Sequence, residues 1–235
     1  KTMTVITMIN EKPFAIVKGA AESVVPNCIG CDCKEILKIN EGWQFIKDCN
    51  DPAATEGATP VTLPHTWNNE DGYDGGTYFR GSCVYQRTVN KEELGEGLHY
   101  LEIRGANSSA DVYLNGKHLC HHDGGYSTWR VDITETLERE NLFAIVVNNE
   151  ANETVYPQMA DFTFYGGIYR DVYLVCVNKS HFDLDYYGGS GLKITPAVDG
   201  TKASVEVEVF TTELTDGQQI RYTICDKEGN EIGKI

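Results

Sequence analysis

With 235 residues, 41% of them hydrophobic and 23% charged, the chain falls among soluble globular proteins and has room for one large or two ordinary domains. A formal net charge of −15 and a pI near 4.7 set it against phosphate backbones and anionic lipid, which argues against nucleic acid or a membrane surface as partner. No apolar run approaches the roughly 18–20 residues that span a bilayer, and residues 1–30 lack the basic-then-apolar layout of a secretory leader, so a cytoplasmic location is favoured.

Residues 1–33 stand apart as a foreign or atypical segment. Lys1-Thr-Met-Thr-Val5, then Phe14-Ala-Ile-Val-Lys-Gly-Ala-Ala-Glu22 and Cys28, resemble in motif and spacing a short piece of the nucleotide-binding domain of P-type cation-transporting ATPases. The resemblance implies a nucleotide-pocket role for Lys18. The phosphorylated Asp-Lys-Thr-Gly motif, the actuator and the membrane helices of that family are missing, so neither transport nor ATP hydrolysis follows. A chance strand, turn, strand and short helix is the alternative. A junction is expected near 29–35, and both ends read as cuts: residue 1 is Lys, and 231–235 falls in the second strand of a hairpin.

Cys28-x-x-Cys31-x-Cys33 is the only cysteine cluster, and zinc would need a second Cys or His pair at matching spacing, which does not follow. The eight cysteines are otherwise scattered, several of them inside apolar strands such as the one holding Cys176. This is the pattern of buried reduced thiols rather than of a disulfide framework. No metal and no other cofactor is expected.

From Lys34 onward the sequence is nearly all strands. Ile39-Asn-Glu-Gly-Trp-Gln-Phe45 opens the pattern, with Trp43 and Phe45 alternating to one face. Further strands are predicted at 83–89, 98–105, 109–115, 117–122, 128–133, 141–149 and 169–177, each bounded by Gly, Asn, Asp or Pro. Asn115-Gly116 signals a type I′ hairpin, whose two turn residues must both tolerate positive φ. One helical piece of about two turns is predicted at 134–140. Short strands with tight turns and almost no helical periodicity mean an all-β sandwich or jelly roll over 34–180. Beyond a boundary near 178–182, Ala203-Ser-Val-Glu-Val-Glu-Val-Phe210 puts Val205, Val207 and Val209 on one face, and 220–230 starts a hairpin.

Three motifs remain: Leu63-Pro-His-Thr-Trp-Asn68, Asn107-Ser-Ser-Ala-Asp-Val-Tyr-Leu-Asn-Gly116 and Asp161-Phe-Thr-Phe-Tyr-Gly-Gly-Ile-Tyr-Arg-Asp171. The last is a dense pattern of aromatic loop, glycine pair and Arg-Asp step that core packing alone does not require. Together they resemble the sugar-binding domain of glycoside hydrolase family 2, the β-galactosidase and β-glucuronidase family, over roughly 34–235. The resemblance implies a galactose-binding-like jelly roll at 34–180 and an incomplete immunoglobulin-like β-sandwich at 181–235, since such a sandwich takes about 100 residues. It also implies a carbohydrate substrate, a galactoside from the wording of the Gly-Gly loop, and leaves room for a homo-oligomeric parent.

A retaining glycosidase needs two carboxylates about 5–5.5 Å apart, and the family places both on a TIM barrel that this chain does not include. No catalytic residue is therefore assigned. Asn149-Glu150, Asn152-Glu153 and Asn230-Glu231 copy the family's acid/base dipeptide but occupy a strand end, a loop and a hairpin turn. By the motif match, Asn107 and Asp161 are the expected substrate-binding residues, reaching a sugar held in the barrel. A turn cap at Asn107 and a loop cap at Asp161 are the alternatives. In some relatives the matching Asp also ligates sodium with partners from the barrel.

Arg170-Asp171 reads as an ion pair or backbone anchor for the Gly-Gly loop. Phe162, Phe164, Tyr165 and Tyr169 suit core or interface packing more than sugar stacking. His118, His121 and His122 read as structural, because strict strand alternation sends His121 to the opposite face. A self-standing carbohydrate-binding module is the alternative function.

Overall fold

The computed structural model describes residues 3–9, 12–18, 33–69, 71, 77–156, 160–199, 202–220, 223–225 and 231–234. The chain divides into two compact units, Ile36–Cys176 and a second made of Lys1–Glu35 with Val177–Ile235. In the second unit, β1 (Met3–Ile9) and β2 (Lys12–Lys18) form an antiparallel hairpin. The nucleotide-pocket reading of Lys18 and the Cys28, Cys31, Cys33 cluster concern side chains outside the described set.

The larger unit is built on two sheets. Its strands are β3 (Cys33–Lys38), β4 (Trp43–Ile46), β5 (Thr59–Val61), β6 (Ser82–Asn90), β7 (Leu98–Ile103), β8 (Ser109–Leu114), β9 (Lys117–Asp123), β10 (Trp129–Asp132), β11 (Glu140–Asn148) and β12 (Val172–Val177). One sheet runs β10-β7-β12-β3 and the other β5-β4-β6-β11-β8-β9. Alternate residues meet in the space between them: Trp43, Phe45, Tyr85, Leu101, Ile103, Val112, Leu114, Phe143, Ile145, Val172 and Leu174 share one core. This is the all-β sandwich that the strand pattern implies.

The longest apolar runs have a second cause. Val84 of β6 and Val146 of β11 face away from the main core and pack with Ile46 under Cys49, Ala54 and Ala58. Gln86 ties that covering segment down by donating from Nε2 to the carbonyls of Pro52 and Ala54, at 2.7 and 3.0 Å. With both faces covered, the middle strands of this sheet are buried continuously instead of alternately.

The hairpin at Asn115-Gly116 has φ of 52° and 79°, as a type I′ turn requires. The piece predicted as helix at 134–140 is a single 3-10 turn, Thr134–Thr136, and Glu140 already belongs to β11. Side chains take up the local backbone groups here. Asp132 Oδ1 accepts from Thr134 N, Thr134 Oγ1 from His99 N, and Asn141 Oδ1 from Glu138 N, at 2.8, 2.9 and 2.8 Å.

In the second unit, β13 (His181–Phe182) pairs with β16 (Thr211–Thr212), β14 (Leu192–Asp199) with β15 (Lys202–Val209), and β17 (Thr223–Cys225) with β18 (Glu231–Lys234). In the β14–β15 register Val207 and Val209 stand opposite Ile194 and Leu192, so the predicted alternation puts apolar residues at facing positions. No helix among the described residues is long and apolar enough to cross a membrane.

Candidate functional site

The three motifs dock onto one another. His65 N donates to Ile168 O at 2.8 Å, and Thr66 Oγ1 to Gly166 O at 2.7 Å. Asn107 and Gly167 exchange backbone hydrogen bonds at 3.0 and 3.3 Å as an isolated antiparallel bridge. The glycine pair makes this approach achievable in two different ways. A β-carbon on Gly166 would run into the Trp67 ring, whereas Gly167 has φ of 128° and would press a β-carbon to 2.5 Å from His65 O. Gly167 needs its positive-φ freedom; Gly166 needs the space.

Residues 164–166 lie outside the ladders, and side chains hold their peptide groups. Tyr78 Oη accepts from Phe164 N at 2.8 Å and donates to Phe164 O at 2.9 Å. Asn149 Nδ2 donates to Phe164 O at 2.9 Å, Asn107 Nδ2 to Tyr165 O at 2.8 Å, and Asn68 Oδ1 accepts from Gly166 N at 2.7 Å. Three successive residues are thus each gripped by a different asparagine.

Asn107 is buried, and its Oδ1 stands over Gly125, where no β-carbon would fit. It lines a shallow depression with Arg80, Ser108, Tyr126, Tyr156 and Phe164. Tyr126 and Tyr156 are exposed at this rim, and the Arg80 guanidinium lies 5.3 Å from the Phe164 ring centre. Asp161 is exposed beside Phe162, outside that lining. The structure therefore places Asn107 within the clamp and Asp161 on the open stretch leading into it.

Arg170 and Asp171 serve separate anchors. Arg170 donates to the carbonyls of Tyr126 and Arg104, at 3.0 and 3.4 Å. Asp171 binds Lys38 at 2.9 Å and accepts from Asn40 Nδ2 at 2.7 Å and Tyr173 Oη at 2.9 Å. Burial raises the Asp171 carboxyl, but the Asn40, Lys38 and Tyr173 hydrogen bonds outweigh it and leave the pKa below the ordinary value. Tyr169 Oη donates to Gly125 O, closing the rim from the other side. Behind the clamp, His65 Nδ1 lies 2.7 Å from Tyr85 Oη, and burial lowers the imidazole pKa.

The histidine hairpin departs from the sequence expectation. A register shift after Val112 pairs Tyr113 with His118 and Val112 with Cys120, leaving Leu119 as an extra residue. His118 and His121 consequently share a face, and both reach Asp111 Oδ1, at 2.8 and 3.0 Å. Even so, no group of three or more His, Cys, Asp or Glu side chains among the described residues is arranged to hold a metal ion.

Cys49, Cys83, Cys120 and Cys176 are free thiols. Burial pushes Cys83 up to about 12 and Cys120 to about 11, so neither is a nucleophile near neutral pH.

The family description "Glycosyl hydrolases family 2, sugar binding domain" matches residues 54–178. A β-glucuronidase of Bacteroides fragilis is 33% identical over 215 residues, covering 84% of this chain and 30% of that relative. A β-galactosidase of Thermoanaerobacter pseudethanolicus is 28% identical over 219 residues, covering 83% and 27%. The crystal structure of an FMN-binding β-glucuronidase from Faecalibacterium prausnitzii L2-6 superposes with a TM-score of 0.75 at 42% identity, over 86% of this chain and 31% of that one. The chain spans about a third of the length of these relatives. The ATPase resemblance of residues 1–28 gains no support from these comparisons. The docked motifs, the sandwich that carries them and the match over 54–178 together make this chain a member of glycoside hydrolase family 2, bearing the family's N-terminal sugar-binding domain.

Proposed function

We propose that this chain is the non-catalytic N-terminal portion of a retaining family 2 β-glycosidase, whose two carboxylates sit on a barrel outside these 235 residues. Its jelly roll buttresses that barrel, and Asn107 and Asp161 contact hydroxyls of the terminal sugar. The observation that carries this reading is the clamp around 164–167, because holding an irregular loop with five side chains is how a scaffold presents polar groups in a fixed position. Asn107 would act through Oδ1, its amide nitrogen being engaged by Tyr165 O.

Relatives named β-glucuronidase reach 33% and 42% identity and those named β-galactosidase 28% and 31%, which favours a terminal β-glucuronide as substrate by the 42% neighbour above all. The galactosidase-like wording of the Gly166-Gly167-Ile168-Tyr169-Arg170 loop supports a β-galactoside as the second reading. Kinetics of the full-length enzyme on matched chromogenic glucuronide and galactoside separate the two. Asn107→Ala and Asp161→Ala in the same enzyme are expected to raise KM for the preferred glycoside at least about tenfold. Unchanged KM in both variants removes the substrate-contact role.

A further inference from the structure

We propose that Asn68 and Asn149 are positioning residues for the sugar-facing loop, a role that rests on the substrate reading above. Their exposures are 2% and 0%, and their amides touch each other, Asn149 Nδ2 donating to Asn68 Oδ1 at 3.1 Å. Each reaches a different peptide group of the loop: Asn149 Nδ2 donates to Phe164 O at 2.9 Å and Asn68 Oδ1 accepts from Gly166 N at 2.7 Å.

The outer ends are tied to the scaffold. Asn149 Oδ1 accepts from Gly81 N at 2.9 Å, while Asn68 Nδ2 donates to Phe79 O at 2.7 Å and Asp71 Oδ2 at 2.6 Å. Both donors of each amide and both acceptor sites of Asn68 are used, so turning either amide over would set oxygen against oxygen and nitrogen against nitrogen. The pair is a one-way relay with a single orientation.

Apolar side chains could fill the same volume at no polar cost, so two desolvated amides need a reason to be there. The reason lies in what sits between their contacts. Tyr165, flanked by the two gripped residues, is the one whose carbonyl accepts from Asn107 Nδ2. The relay and Asn107 therefore grip consecutive residues, and the relay sets where Asn107 Oδ1 stands. This also gives Asn149 a role unrelated to the acid/base dipeptide that Asn149-Glu150 imitates.

The test compares steady-state kinetics of the full-length glycosidase carrying Asn149→Asp, Asn68→Asp or Val146→Ala. Asn149→Asp keeps the acceptor for Gly81 N but turns an oxygen toward Phe164 O and Asn68 Oδ1. Val146 packs on the far face of β6 and β11, so Val146→Ala lowers thermal stability without touching the loop. Either Asp variant is expected to raise KM about tenfold while kcat changes less than about twofold, the signature of lost uniform binding. Val146→Ala is expected to lower Tm with KM unchanged. Hydrogen exchange at 164–167 should quicken in the Asp variants alone.

If an Asp variant and Val146→Ala lose similar Tm and show the same KM, the amides are only structural and the proposal is overturned. Should the Asp variants fail to fold, Asn149→Ser and Asn68→Ser take their place under the same criterion. Asn107→Ala run alongside keeps the two ideas apart. An unchanged KM there and in Asp161→Ala sinks the substrate reading, whereas a raised KM in Asn107→Ala with silent relay variants sinks only the positioning role.

Discussion

The six-membered ring of Trp67 occupies the place that a β-carbon on Gly166 would need, so the Leu63–Asn68 motif and the glycine pair are two halves of one contact. Both halves are held. Trp67 is buried, and its Nε1 donates to Phe79 O at 3.4 Å. Gly166→Ala is therefore expected to cost about 1–3 kcal/mol by overpacking, read as a lower urea midpoint with unchanged m-value. A neutral result would mean that the Trp67 ring slides aside freely.

His121 carries a pH-dependent part of the hairpin's stability. Its Nδ1 faces Asp111 Oδ1 at 3.0 Å and its Nε2 faces Asp123 Oδ1 at 3.2 Å, so both contacts are hydrogen bonds only when the ring holds two protons. Burial pulls the pKa down, but the hydrogen bonds to Asp111 and Asp123 outweigh it and set it above the ordinary value. The sign follows from that. The contribution is fully present below the unfolded value near 6.5 and is lost as pH rises through the higher folded value. Asp111→Asn is expected to lower the His121 pKa in an NMR titration, and an unmoved curve would refute the assignment.

Asp171 gives the opposite dependence. Its folded pKa lies below the ordinary carboxylate value, so its stabilisation is present above the unfolded value and disappears as pH falls through the folded one. Asn40 is the buried partner, accepting from Val172 N at 3.0 Å while donating to Asp171. Asn40→Ala leaves both groups short of a partner and is expected to cost about 1–3 kcal/mol near neutral pH. Equal unfolding midpoints for variant and wild type would contradict this.

Thiol chemistry offers a simple check of the core. Cys83 and Cys120, with pKa near 12 and 11, should react with a thiol reagent at pH 7 only after denaturant opens the sandwich. Labelling of Cys83 in the native chain within minutes would show that β6 is not packed as described.

The 235-residue chain alone is expected to hydrolyse neither chromogenic β-glucuronide nor β-galactoside. Turnover by the purified chain would place reactive carboxylates within it and undo the proposed division of labour.

Strand periodicity located β6 to β11 to within a few residues, because half-buried strands write their burial into every second position. β5 escaped notice since Thr59–Val61 is too short to show a period and has Pro60 at its centre. The relay escaped for another reason. Asn68 and Asn149 are 81 residues apart, and an amide saturated by backbone groups leaves no spacing signature. The histidines were misplaced by a single residue: Leu119, extra on β9, reverses the face of everything before it, and alternation counted along the sequence cannot register an insertion that exists only relative to the partner strand.

Because 164–166 are held by their backbone, the side chain of Tyr165 is not what keeps the loop in place; it is 49% exposed, and the Phe162 ring, 57% exposed, meets the loop only at Phe164, with ring centres 5.1 Å apart. Such a mount separates the bracket from the tool it carries. Evolution, or an engineer, can exchange the outward rings for other residues and retune what this edge of the domain touches, while the asparagines behind keep the height and angle of presentation constant.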